Sequence, residues 1–97
     1  MVPVDRARRL IVAAEEAAQL GFFTKAITLF KTAARLDPSH TGAHLHLAEL
    51  YRALEMEREA SSAAQEALRR AVARGDLPAG AAALAFLVAL SRPGDPQ

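Results

Sequence analysis

Cysteine is absent from this 97-residue chain, which excludes disulfides, thiol catalysis and thiolate metal sites. Tryptophan is absent as well, and one tyrosine with four phenylalanines make up the aromatic complement. A β-sandwich or barrel would draw on more aromatic and β-branched residues. Neither sign of charge dominates: 12 basic residues stand against 11 acidic ones, for a formal net charge of +1. Nucleic-acid binding needs a one-signed face to neutralise phosphates, and this balance marks none. No apolar run approaches the about 20 residues that span a bilayer. The opening MVPVDRARRL leads into no signal-type apolar core. The expectation is a cytoplasmic protein without a membrane or nucleic-acid partner.

The residues that are present point toward helices. Hydrophobic residues make up 52% of the chain and charged residues 24%, the proportions of a globular protein. Roughly a quarter of the chain is alanine, the strongest helix former. Residues 1–97 suffice for one domain with a modest core, worth about 5–10 kcal/mol net. That leaves little room for a buried catalytic cavity. The fold class expected is all-α.

Five helices can be drawn. Asp5 is placed to cap the first, from Arg6 to Leu20, with Leu10, Ala13, Ala14 and Ala17 at helical spacing. Gly21 supplies a turn. Thr24 is placed to cap the second helix, which runs to Leu36 with Ile27 and Phe30 inward and ends at Asp37-Pro38-Ser39. The third spans Thr41 to Leu54. Glu55-Met56 then forms a corner without glycine, and the fourth helix spans Glu57 to Arg74. Gly75 can close it in the left-handed conformation, and Asp76 can cap a fifth helix over 76–91, with Pro78 in its first turn. Residues 92–97 are expected to fray.

Shifting the chain by 34 residues against itself aligns Ala14 with Ala48, Leu20 with Leu54, Ala26 with Ala60 and Ala33 with Ala67. Small residues at fixed offsets are what closely packed antiparallel helices require. The first unit, 7–40, reads Leu10-x2-Ala13-Ala14-x2-Ala17, then Ala26-x3-Phe30-x2-Ala33 and Pro38. The second, 41–74, reads His44-x2-Leu47-Ala48-x2-Tyr51, then Ala60-x3-Ala64-x2-Ala67. This pattern resembles the tetratricopeptide repeat. Leu10 and His44 replace its usual aromatic, Ala14 and Ala48 its glycine, and the second closing proline is missing. The resemblance implies an α/α repeat superhelix of two units, with 76–91 as a capping helix.

It also implies a non-catalytic protein-binding module or adaptor whose partner lies on the concave face, formed by the first helix of each unit. Carried over position by position, that face consists of Arg8, Ile11, Val12, Glu15, Ala18 and Gln19, then Leu45, His46, Glu49, Arg52 and Ala53. One subset of the family clamps a partner's C-terminal carboxylate with Lys, Arg and Asn. Ile11 and Glu15 stand where that clamp needs Lys and Asn, so no such clamp is expected. Ile11, Val12 and Leu45 beside Glu15 and Glu49 suit an apolar peptide or helix carrying Lys or Arg. Packing between helices is the plainer reading of the three apolar residues.

The fifth helix carries no charge from Ala79 to Leu90. Its bulky residues spread over roughly 200° of the wheel, more than one neighbouring helix covers. Phe86, Leu87 and Leu90 are therefore candidates for self-association, and a homodimer or higher homo-oligomer is the alternative function. Other signals carry little. His40, His44 and His46 do not share a face, so no metal is expected. Arg74-Gly75-Asp76 reads as a helix end and a helix start rather than an adhesion tripeptide. Arg69, Arg70 and Arg74 have Glu57, Glu59 and Glu66 nearby and read as a paired, solvated surface. Ser61 and Ser62 have no adjacent base, and no phosphate-cradling glycine loop exists. No cofactor and no enzymatic activity are expected.

Overall fold

The structure is a computed structural model that describes the backbone of residues 3–91 and the side chains from Asp5 onward. The fraying expected of 92–97 lies outside the described residues. Five helices follow in order: α1 (Pro3–Gln19), α2 (Phe23–Leu36), α3 (Thr41–Ala53), α4 (Glu57–Arg74) and α5 (Leu77–Ser91). The described residues contain no strand. The chain is all-α, as its alanine content and periodicity indicate.

Alanine sets the packing. Ala14 and Ala48, Ala26 and Ala60, and Ala33 and Ala67, the pairs related by the 34-residue offset, are all fully buried. A methyl group at each crossing lets two helix axes approach to the short end of the usual 8–10 Å. α1 packs on α2 and α3 on α4; α2 joins the two pairs through α3, and α5 lies on α4. The molecule is a slab of 53 × 32 × 17 Å, about two helix diameters at its thinnest. Phe30 is the large side chain enclosed at its centre. Ile11, Ile27, Leu47 and Leu50 complete the same core.

The turns repeat with the helices. Gly21 follows α1 at φ 85°, and Glu55, 34 positions later, takes φ 60°. In the first turn Gly21 N–H donates to Ala18 and Phe22 N–H to Ala17; in the second Glu55 N–H donates to Arg52 and Met56 N–H to Tyr51. The backbone conformation is the same, but Glu55 holds it with a side chain that disfavours it by about 1 kcal/mol. Gly75 closes α4 at φ 68°. Asp76 Oδ1 then accepts the Ala79 N–H at 3.2 Å. Arg74-Gly75-Asp76 is thus a helix end and the next helix start.

Two capping expectations change, and a third cap was not anticipated. α1 begins at Pro3, which puts Asp5 inside its first turn, where the helix dipole favours a carboxylate. Thr24 does not cap α2; the N-cap is Phe22, without a side-chain bond, and the Thr24 carbonyl accepts the Thr28 hydroxyl at 3.2 Å. His40 caps α3 instead, its Nδ1 accepting the Ala43 N–H at 3.1 Å. Imidazole lies outside the usual cap set of Ser, Thr, Asp and Asn, which is why that role went unread. The basic run of α4 is paired as expected. Glu66 is held by Arg69 and by Arg70 Nε at 2.7 Å. Arg70 and Arg74 also donate to the Pro38 and Ser39 carbonyls in the α2–α3 turn.

Candidate functional site

α1, α3 and α5 contribute side chains to one face. Glu15 of α1 projects toward α3, its Oε2 3.6 Å from His46 Nε2. The other ring nitrogen, Nδ1, lies 3.5 Å from Glu49 Oε1, one turn further along α3. The imidazole therefore sits between two carboxylates. Its plane is fixed from below by Phe30, with ring centroids 4.9 Å apart and planes 12° from parallel. A fully buried core residue thus sets the orientation of a half-exposed polar one.

These groups line a hollow of about 390 Å³, completed by Ala18, Gln19 and Leu50. A second hollow of about 420 Å³ shares Glu49 and is bounded by Arg52, Ala53 and Phe86. The shared residue makes the two hollows one shallow groove running from α1 across α3 to α5. In the second hollow the Arg52 guanidinium lies over the Phe86 ring, 5.7 Å from its centroid. Such an exposed cation–π contact contributes about 0.5–1 kcal/mol and gives the arginine one preferred position. The first hollow holds two carboxylates and no Lys or Arg among its described lining residues. It offers acceptors to an incoming cation.

Of the groove residues expected from the sequence, Glu15, Gln19, His46, Glu49 and Arg52 come together here, with Ala18 and Ala53 between them. Arg8 and Val12 are exposed further toward the start of α1, and Leu45 is half-buried on α3; none of the three lines either hollow. Ile11 is in the core and presents no surface, so the packing reading applies to it. Phe30 and Phe86 were not assigned to the groove. Phe86 was legible: Ala18, Arg52 and Phe86 occupy one position at successive 34-residue offsets. Phe30 was not, because its stacking on His46 is a contact between helices that the sequence does not space.

The fifth helix is unevenly covered. Ala83 is fully buried against the rest of the fold, and Phe86, Leu87 and Leu90 follow at helical spacing in the half-buried seam. The outer stripe is Leu77, Leu84 and Val88, exposed to 81%, 53% and 56%.

No protein-family model matches the sequence, and no curated protein matches it either. Solved structures do match. A solution structure of a tetratricopeptide repeat domain protein from Salinibacter ruber superposes with a TM-score of 0.81, covering 98% of this chain and 93% of that one at 19% identity. The chain has the tetratricopeptide-repeat fold. A crystal structure of a tetratricopeptide repeat domain protein from Salinibacter ruber agrees, at TM-score 0.77, 20% identity and coverage of 91% and 93%. Ala18 of α1, Arg52 of α3 and Phe86 of α5 correspond at the 34-residue offset, and the groove runs along these three helices. α5 has no second helix among the described residues, which is why its outer stripe is open. No described helix is long and apolar enough to cross a membrane.

Proposed function

We propose that this tetratricopeptide-like chain is a non-catalytic interaction module that binds a peptide or helix of another protein in the groove across α1, α3 and α5. A lysine or arginine of the partner reaches the exposed carboxylate oxygens of Glu15 and Glu49 that flank the His46 ring, and its apolar neighbours lie against Ala18, Leu50 and Phe86. Arg8, Val12 and Leu45 extend the contact toward the start of α1. The observation that carries this reading is the Glu15–His46–Glu49 cluster, held on the Phe30 ring at the floor of the groove. A carboxylate pair in a concave, partly apolar surface selects a cation flanked by apolar groups. No cofactor is required.

The test is an amide NMR titration with an amphipathic peptide of leucine and lysine, against the same peptide with glutamate for lysine. The lysine peptide is expected to shift Gln19, His46, Glu49 and Phe86, and the glutamate peptide to leave them unmoved. Glu15→Lys with Glu49→Lys is expected to weaken binding at least about tenfold, or about 1.4 kcal/mol. Equal binding of the two peptides would rule this reading out.

A second reading, self-association, is favoured by the exposed stripe Leu77, Leu84 and Val88. α5 carries no charge from Leu77 to Ser91, so two copies meeting there bring no like charges together. Its 15 residues span about 22 Å and present a face about 10 Å wide. That footprint falls well short of the about 800 Å² per partner of a stable interface. Such a dimer is weak and dissociates on dilution.

A further inference from the structure

The opposite side of the molecule holds a second cleft. It lies between α2 and α4, encloses about 540 Å³, and is floored by Leu47 and Tyr51 of α3. Ala34 and Ala63 form its walls. The sequence explains why it is open. Unit one carries Leu29 and Phe30 where the 34-residue offset places Ala63 and Ala64 in unit two. The isopropyl branch of a leucine and the ring of a phenylalanine are thereby missing from the second helix pair, and Ala63 borders the resulting space.

The cleft is not electrically neutral at its edges. Lys31 and Arg35, one turn apart on α2, form one rim. Neither has a carboxylate within 4 Å among the described residues; Arg35 donates to the Thr32 hydroxyl on its own helix. On the α4 rim Glu66 is already held by Arg69 and Arg70. Glu59, one turn before Ala63, leaves that side acidic. At the edge of the floor His44 Nε2 is enclosed without a hydrogen-bond partner. Burial, helped by the nearby Arg70, lowers the His44 pKa and favours the neutral ring, so it adds no charge to the cleft.

We propose that the α2–α4 cleft is a second docking site, for a peptide segment in which a leucine- or phenylalanine-sized anchor is flanked by acidic residues. The anchor fills the space beside Ala63, over Leu47 and Tyr51. The acidic neighbours pair with Lys31 and Arg35. Glu59 repels a carboxylate on the far side and so fixes the peptide's direction across the cleft. The two faces then select opposite charges: a basic segment in the α1–α3–α5 groove and an acidic one here.

The probe is an acetylated and amidated peptide, Gly-Asp-Asp-Leu-Gly, followed by amide NMR. Controls carry lysine for the aspartates or alanine for the leucine. Saturable shifts are expected at Lys31, Arg35, His44 and Ala63, with a Kd of about 1 mM or tighter for so short a segment. Ala63→Leu restores the residue of unit one and fills the cleft; it is expected to abolish those shifts. Lys31→Glu with Arg35→Glu alters only exposed side chains and is expected to weaken binding at least about tenfold. Should Ala63→Leu disturb the fold, the double charge reversal alone decides. Unchanged affinity in that reversal, equal binding of the lysine control, or shifts centred on Glu15 and His46 would each overturn the proposal.

Discussion

Single residues depart from the repeat in ways that have measurable consequences. His44 is one: burial first, then Arg70, lower its pKa; Glu66 opposes them, and His40 adds a smaller lowering. A histidine with a lowered folded pKa binds its proton less readily when folded than when unfolded. Its neutral form therefore supports the fold above the ordinary histidine pKa of 6.5, and that support is lost as pH falls through 6.5. Urea unfolding at pH 7.5 and 5.5 is expected to show lower stability at the acid value. His44→Leu, the residue that unit one carries at Leu10, should reduce that difference and add about 1 kcal/mol by removing an unpaired buried nitrogen. Glu55 is another. Glu55→Gly relieves the left-handed conformation and is expected to stabilise by about 0.5–1 kcal/mol, read as a higher urea midpoint at unchanged slope. Phe30 is the residue where core and groove meet. Phe30→Ala is expected to cost about 3–4 kcal/mol and to broaden the His46 resonances even under conditions where the chain stays folded.

At the scale of elements, the sequence was most readable where one residue type answers one physical demand. Alanine at fixed offsets marks helix crossings, and every offset pair of alanines that was singled out is buried. Glycine marked the ends of α1 and α4. The corner at Glu55-Met56 was legible as a corner, but nothing in a glutamate signals a left-handed turn. Caps were the least legible, because the N-termini of α2 and α3 use Phe22 and His40 rather than Ser, Thr, Asp or Asn. The rotation of α5 was not legible either. A helix apolar on every side gives no wheel asymmetry, so only its contact through Ala83 fixes which side faces out. α5 should nonetheless be needed for stability, since two helix pairs alone leave α4 uncovered. A chain ending at Arg74 is expected to lose more than about 10 °C in Tm and to bind an apolar dye; retention of the full-length Tm would show that α5 only decorates the fold.

For the whole molecule, the architecture was legible from a 34-residue period, and the groove's polar members from the positions that the resemblance implied. The joining of α1, α3 and α5 by Glu15–His46 and Arg52–Phe86 was not, because those contacts depend on how successive pairs stack. On the self-association reading, two copies meet through the outer stripe of α5. Light scattering across a hundredfold dilution is expected to show a mass that falls toward the monomer, and Leu84→Glu with Val88→Glu to give monomer throughout. Phe86→Glu is expected to disturb the Arg52 contact and the groove more than the mass. A dimer persisting at the lowest concentration would mean that more than α5 is buried in it.

The central claim is that a partner lies in the groove over Glu15, His46 and Glu49. The most direct measurement is photo-crosslinking in cells, with a benzophenone side chain at Gln19 in the groove or at Val72, exposed on α4 outside both the groove and the α2–α4 cleft. A discrete crosslinked protein is predicted from Gln19 that is absent from Val72 and lost when Glu15 and Glu49 are reversed to lysine. The same protein captured equally from both positions, or captured regardless of that reversal, would contradict it.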